Sequence, residues 1–168
     1  MRLTLALIAC TAALPFAAPA HAEVVENDVI KVFEGQWVQS KDPTQNGLLM
    51  YLTQERSSVG EYFSIRCEDA VPSVRIAYPK RRSGKDIGLT VDGSQQRVAA
   101  RFTGKTKDVS FSKGNLFGYA LEFPDAASRD AFLASLRGGT MLVVEGQTLP
   151  VDLKGAGQAV AEQAAYCG

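Results

Sequence analysis

Short stretches in which apolar and polar residues alternate recur along the chain from residue 36 onward. Phe63, Ile65 and Cys67 fall on one face of such a stretch, which is the period-two pattern of a half-buried strand. Turn-forming residues, such as those of Asp92-Gly93, separate the stretches every eight to twelve residues. The predicted strands are 36–40, 47–53, 61–67, 73–78, 86–91, 97–103, 109–111, 117–123, 141–145 and 148–153.

Two segments have helical periodicity instead. The first begins after Asp125, a favourable N-cap residue, and ends at Gly138, with Phe132, Leu133 and Leu136 on its apolar side. The second runs over 156–167, and its spacing predicts one apolar stripe. The stripe consists of Ala156, Val160, Ala164 and Cys167. Residues 23–34 have no clear period.

Together these elements predict a mainly β fold. We expect residues 23–168 to form one domain, an antiparallel β-sandwich or partly open barrel of about eight to ten strands with two short helices.

The first 22 residues have the features of a cleaved secretory signal peptide. Arg2 precedes a long apolar run, and Ala20-His21-Ala22 matches the small-x-small cleavage pattern. Two alternatives stay open: lipoprotein processing at Cys10 after Leu7-Ile8-Ala9, and an uncleaved membrane segment. Cleavage after Ala22 predicts a periplasmic protein, and no later stretch is apolar enough to span a membrane.

Composition after cleavage excludes several chemistries. The segment keeps 17 of the 18 Lys and Arg residues, because Arg2 is removed, and all 18 Asp and Glu, so its net charge is −1. That balance does not favour nucleic-acid binding. The chain's single histidine, His21, leaves with the leader, so neither a Ser-His-Asp triad nor a histidine metal site is expected. We predict no cofactor and no metal.

Cys67 and Cys167 remain after cleavage. Both lie on apolar faces, and exported thiols normally pair. We therefore expect a Cys67–Cys167 disulfide that attaches the C-terminal helix to the strands and removes any thiol nucleophile. Two buried, unpaired thiols are the alternative.

Three local motifs have structural interpretations that we favour. Gly155-Ala156-Gly157 resembles the start of a dinucleotide fingerprint but is better explained as a hinge before the last helix. Ser110 and Lys113 have serine-acylase spacing at a predicted strand end. Glu68 and Asp69 are adjacent acids at a turn, with no opposing pair. The scattered aspartates Asp42, Asp86 and Asp92 do not form a calcium loop.

The one local charge excess lies in KRRSGK, at what we expect to be a hairpin tip. Its candidate anion- or partner-binding residues are Lys80, Arg81, Arg82 and Lys85, which Lys105 and Lys107 would join from another turn. A solvated turn that protects sheet edges is the alternative explanation. For Trp37 we favour a buried position over an exposed ligand platform.

The stretches GQWVQSKDP, SIRCED, FLASLRGGTMLVV and LPVDLKGAGQAVAEQAAYC resemble the TagO/VasI-like periplasmic proteins associated with type VI secretion. The ending also resembles the invasion-associated locus B family of secreted, disulfide-bearing proteins, although Gln39 stands where those usually have Cys. Both resemblances imply an exported β-rich protein, and neither implies a catalytic residue.

We therefore expect a non-enzymatic envelope-binding or accessory protein, linked to secretion or host interaction. Its expected partner is an envelope protein, a cell-wall polymer or a lipid headgroup. Two alternatives remain: a cell-wall hydrolase that uses carboxylates or a Ser-Lys pair, and a structural accessory subunit with an apolar patch near Trp37 or Leu116–Phe117.

Overall fold

The computed structural model describes residues 24–106 and 115–168. Eleven antiparallel strands form one open sheet in the order β1-β2-β3-β4-β5-β6-β9-β8-β7-β10-β11. This architecture confirms the mainly β fold class. The strands are β1 (Val25–Glu26), β2 (Ile30–Phe33), β3 (Trp37–Ser40), β4 (Leu49–Tyr51), β5 (Tyr62–Glu68), β6 (Val71–Tyr78), β7 (Asp86–Val91), β8 (Ser94–Thr106), β9 (Leu116–Glu122), β10 (Met141–Val144) and β11 (Val151–Asp152).

The strand count exceeds the expected eight to ten because the N-terminal segment also joins the sheet. Residues 25–26 and 30–33 form β1 and β2, and β2 pairs with β3. Three of the four residues of β2 are apolar, but the stretch is too short to show a period, and pairing with β3 stabilises the strand. The strand expected at 109–111 lies outside the described residues.

Turn chemistry determines two of the hairpins. Asp92 and Gly93 both have positive φ between β7 and β8, as the sequence predicts for a tight hairpin. Asp69 and Ala70 also have positive φ, in the turn between β5 and β6. Asp69 is thus a turn residue, as we favoured.

Both predicted helices are present, and a third was missed. Helix α2 (Ala126–Gly138) begins at Asp125, whose side chain accepts a hydrogen bond from the Ser128 amide. Helix α3 (Ala156–Cys167) ends one residue before the C-terminus of the sequence. The missed helix is α1 (Gln54–Val59), which has a Thr53 cap at its start and Gly60 in the left-handed conformation at its end.

A disulfide joins Cys67 of β5 to Cys167 of α3, as predicted, across a sequence separation of 100 residues. Helix α3 also packs on α2 and on strands β2 to β6. The predicted apolar stripe is wrong at one position, because Ala164 is exposed and Gln163 is buried in its place. The Gln163 amide donates to the carbonyl of Gly47 and lies beside the disulfide, so a polar side chain is satisfied there.

The sheet curls until distant strands meet around one core. Trp37 of β3 is fully buried, and its indole nitrogen donates to the carbonyl of Asp152 in β11 at 3.1 Å. Its ring packs against Tyr51 and Phe63. The preferred interpretation of Trp37 as a core residue is therefore confirmed, and a ligand platform is excluded at this position.

A polar network centred on the buried side chains of Arg56 and Glu61, here called the closure seam, holds the curl together. It consists of Arg56, Glu61, Gln147, Thr148 and the carbonyls of residues 149 and 150. The carboxylate of Glu61 accepts hydrogen bonds from the amides of Thr148 and Leu149. The strand predicted over 148–153 is therefore shortened to Val151–Asp152. The amides of Thr148 and Leu149 donate to the Glu61 side chain and not to a neighbouring strand, and Pro150 has no amide hydrogen to donate.

Candidate functional site

The basic segment connects two strands that are not neighbours. Strand β6 pairs with β5 and β9, whereas β7 pairs with β8 and β10. Residues 79–85 therefore cross the ends of β9 and β8, and the predicted hairpin tip is wrong. Sequence cannot show this because a hairpin and a crossing connection of this length have the same turn residues.

Arg82 anchors this connection to the fold. Its backbone amide donates to the hydroxyl of Tyr119 at 2.8 Å, and its guanidinium donates to the carbonyl of Glu145 at 2.8 Å. The guanidinium also contacts the Glu145 carboxylate at 3.2 Å and lies 5.1 Å from the centre of the Tyr78 ring. Arg82 is thus occupied by internal partners, unlike the other three predicted residues.

Glu145 neutralises Arg82 as part of a larger set of contacts. A hydrogen bond from the Gly88 amide lowers the pKa of Glu145 despite some desolvation, and the guanidinium groups of Arg82 and Arg97 lower it further. The carboxylate therefore stays ionised well below neutral pH. The hydroxyl of Tyr78 donates to the Glu145 carbonyl, and burial raises the pKa of this phenol. These groups position the connection.

Lys80, Arg81 and Lys85 project from the anchored connection and are exposed. The Arg81 guanidinium lies over the ring of Phe102 at 4.8 Å from its centre, and the Lys105 ammonium lies 5.3 Å from the centre of the Phe117 ring. We call Lys80, Arg81, Lys85, Phe102, Lys105 and Phe117 the cation–aromatic surface. Lys107, the other lysine expected here, lies outside the described residues.

Strand register brings Phe117, Lys105 and the start of the basic connection to one end of three strands, whereas Lys85 lies beside Ala100, farther along β8. Phe117, near the start of β9, lies opposite Tyr78 at the end of β6 and opposite Lys105 near the end of β8. The ring of Phe102 packs on Tyr119 and lies near Phe117, with centroid separations of 5.4 and 6.3 Å. Phe102 remains 37% exposed.

The ion pairs between described residues do not include any cation of this surface. The pairs involve Lys31, Lys41, Arg75, Arg82, Arg97, Arg101, Arg129 and Lys154. Lys80, Arg81, Lys85 and Lys105 thus form a local positive charge on a chain whose total charge is balanced. Such a cluster raises the local concentration of anions.

A second candidate site is a groove beside β6, β8 and β9. Its lining includes Glu68, Glu122, Asp125, Arg101 and Arg129. The Glu122 carboxylate accepts from Arg101 at 2.7 Å, and the Asp125 carboxylate caps helix α2. Each of these acids already has a partner.

The protonation of this groove does not suit acid catalysis. Burial alone would raise the pKa of Glu68, but hydrogen bonding and charge from Arg75 outweigh it and the pKa is lowered. The Ser128 amide lowers the pKa of Asp125. A general acid at neutral pH needs the opposite shift.

Gly155 has a packing role at the start of α3. Its φ is +78°, and a Cβ there would lie 1.7 Å from the carbonyl oxygen of Glu34. Glycine is required because the chain must turn sharply and pass close to another backbone segment. This supports the hinge interpretation over a dinucleotide site. Ser110 and Lys113 lie outside the described residues.

Trp37 is fully buried and Leu116 is 2% exposed, so the apolar patch expected near Trp37 or Leu116–Phe117 is reduced to half-buried Phe117 and the exposed Phe102 beside it. Across 24–106 and 115–168, no three acidic, histidine or cysteine side chains are grouped as metal ligands would be. Within the same ranges no helix has the length and apolar character needed to cross a bilayer.

The sequence does not predict the closure seam or the aromatic half of the cation–aromatic surface. Arg56 and Glu61 bind residues about 90 positions away, and no local pattern encodes such a partner. Phe102 continues the alternation of Val98 and Ala100 along β8, so the sequence predicts its face but not its exposure beside the irregularity between Phe102 and Gly104. Comparisons with protein-family models, curated proteins and solved structures found no match for this chain.

Proposed function

We propose that this chain is a non-enzymatic binding protein of the bacterial envelope whose cation–aromatic surface binds an anionic partner. One observation carries the proposal. Lys80, Arg81 and Lys105 gather at one end of three strands, Lys85 lies at the far end of the same connection, and no ion pair between described residues includes these four cations. Arg82, which anchors the same connection, is instead paired with Glu145.

Aromatic rings prepare part of this surface for binding. Phe102 lies beneath Arg81 and Phe117 lies beneath Lys105, so two long cationic side chains have preferred positions before any partner arrives. Ordering these side chains in advance lowers the entropic cost of association. The arrangement favours an anion with several negative groups, since the cations are spread over a surface.

The envelope location is supported by two features. Residues 1–22 have the composition of a secretory leader, and the fold contains a disulfide of the kind that persists in oxidising compartments. The resemblance to secretion-associated and invasion-associated proteins agrees with export. A role in secretion or host interaction is part of the proposal.

The hydrolase alternative has less support. The groove that contains Glu68 and Asp125 holds both acids at lowered pKa, which leaves them without a proton to donate at neutral pH. A structural accessory role would draw on Met141 and Val143, which are each 47% exposed on β10. Those two side chains are a small apolar area, so we favour anion binding.

Binding of inorganic polyphosphate to residues 23–168 tests the proposal with a soluble polyanion. The variant Lys80→Ser/Arg81→Ser/Lys85→Ser removes three cations of the surface. The variant Lys41→Ser/Arg137→Ser/Lys154→Ser removes three exposed cations elsewhere, so both variants have the same net charge.

We expect titration calorimetry to show salt-dependent binding that the first variant weakens at least tenfold and the second leaves within twofold. Equal weakening by both would show that net charge alone attracts the polyanion. Absence of wild-type binding at low salt would also contradict the proposed function.

A further inference from the structure

The cation–aromatic surface lies at the ends of β6, β9 and β8. Tyr78, Phe117 and Lys105 are successive neighbours across these strands, and the connection that carries Lys80 and Arg81 begins directly after Tyr78. The groove lined by Val91 and Phe132 and the groove lined by Glu68 and Arg129 do not include its residues. A partner with an extended array of negative groups can reach several cations of such a surface together, whereas a small anion would contact only one or two.

Phe102 adds an apolar contact between the charges. Its ring is 37% exposed, with the Arg81 guanidinium on it and Tyr119 and Phe117 behind it. A soluble polyanion offers no apolar environment in which this ring could be buried. A bilayer surface does, because anionic headgroups bind the cations while the acyl boundary accepts the aromatic ring.

The described acids near the surface are paired with other cations. Glu145 is bound to Arg82 and Arg97, and Asp86, next to Lys85 in the sequence, lies 3.9 Å from Arg97. Glu122 pairs with Arg101 on the adjoining part of β8 and β9. Within residues 24–106 and 115–168, no acid is therefore paired with the positive charge at the strand ends.

We infer that the partner of this surface is the headgroup layer of an anionic membrane, with Phe102 entering the interface and the surrounding cations contacting the headgroups. The inference rests on the proposed function, because it identifies the anion that the same surface binds. The membrane inference adds the insertion of the Phe102 ring into an apolar layer, which anion binding alone does not require.

Co-sedimentation of residues 23–168 with vesicles tests this directly. One set of vesicles contains phosphatidylglycerol and phosphatidylcholine, and the other contains phosphatidylcholine only. Wild-type protein should bind the anionic vesicles and not the neutral ones. Each basic residue near a charged bilayer contributes about fivefold in affinity, so Lys80→Ser/Arg81→Ser/Lys85→Ser should weaken vesicle binding about 100-fold.

The variant Phe102→Ser separates a membrane from other polyanions. We expect it to weaken binding to anionic vesicles about fivefold or more and to leave polyphosphate binding within twofold. Met141→Ser, which removes an exposed apolar side chain from β10, is the matched control and should change neither. Far-ultraviolet circular dichroism and melting temperature establish that each variant is folded.

The outcomes distinguish the two levels of the proposal. If polyphosphate binds through the basic residues but anionic vesicles do not bind, the membrane inference is wrong and the proposed function stands. If neither probe binds, both are wrong. If Phe102→Ser weakens both probes equally, the ring serves only to position Arg81, and the membrane inference is again overturned.

Discussion

Arg56 and Arg81 lie in opposite surroundings, although both are arginines beside an aromatic ring. Arg56 is 1% exposed at the closure seam, where its guanidinium donates to the carbonyl of Pro150 and to the side chain of Gln147. Arg81 is exposed over Phe102 and has no ion pair among the described residues. Burial lowers the pKa of Arg56, because removal from water disfavours the charged form of the guanidinium.

The difference separates charges that maintain the fold from charges that are available for binding. At the closure seam, hydrogen bonds between protein groups take the place of hydrogen bonds to water. Removing one group therefore leaves the groups that were bound to it without a hydrogen-bond partner. At the cation–aromatic surface, water satisfies the charges, so removing one costs the fold little. Substitutions at the two regions should therefore affect different measurements.

The largest expected effect on stability comes from the disulfide between Cys67 and Cys167. Cys67→Ser/Cys167→Ser should lower the free energy of unfolding by about 4–5 kcal/mol, because the unfolded chain regains the freedom of a loop of 100 residues. Urea denaturation of residues 23–168 measures this. A loss below about 1 kcal/mol would show that packing alone holds α3 on the sheet.

Glu61→Gln tests the closure seam itself. The amide that replaces one carboxylate oxygen would face the backbone donors of Thr148 or Leu149, so we expect a loss of about 2–3 kcal/mol. Glu55→Gln on exposed α1 is the matched control and should change stability by less than 0.5 kcal/mol, the usual range for surface substitutions. Equal effects would contradict a special role for Glu61.

Adjacent arginines provide a sharper comparison within the basic segment. Arg82→Ser removes hydrogen bonds to Glu145 and should lower stability by about 1 kcal/mol while polyphosphate affinity per folded molecule changes little. Arg81→Ser should weaken polyphosphate binding severalfold and leave the melting temperature unchanged within about 1 °C. The reverse assignment in calorimetry and thermal unfolding would overturn the distinction between anchor and binding residue.

Acidification should separate stability of the fold from anion binding, with the smallest expected effect. The Gly88 amide holds the folded-state pKa of Glu145 below its unfolded value, and the Thr140 hydroxyl does so for Asp92. Stability from these groups is thus fully present above about pH 4.5, near the unfolded carboxyl values, and is lost as the pH falls through the folded values.

Lysine and arginine keep their charge throughout that range, so polyphosphate affinity should persist while the protein is folded. Urea midpoints and binding constants between pH 7 and pH 3.5 check this. A parallel loss of affinity in folded protein would show that carboxylates contribute to the binding surface.

Sequence predicted the features that depend on local periodicity. The alternation around Cys67 and the helical spacing before Cys167 were enough to place both thiols toward the core, and their pairing is confirmed. Asp125 also capped its helix as expected. These predictions succeed because neighbouring residues determine the face that each side chain occupies.

Features that depend on strand order were not available from sequence. The segment around Arg82 was predicted to be a hairpin tip, and only the placement of β8 and β9 between β6 and β7 makes it a crossing connection. The same strand order places Phe102 beneath Arg81. Gln163 replaced Ala164 in the buried stripe because a carbonyl on a distant loop accepts its hydrogen bond.

Nuclear magnetic resonance titration of isotope-labelled residues 23–168 with polyphosphate tests most directly which residues bind the anion. We predict that the largest amide shifts lie in residues 79–85 and 101–105 and that they disappear in Lys80→Ser/Arg81→Ser/Lys85→Ser. Shifts centred on the groove of Glu68 and Arg129, or spread evenly over the basic residues of the whole chain, would contradict the assignment of the cation–aromatic surface as the binding site.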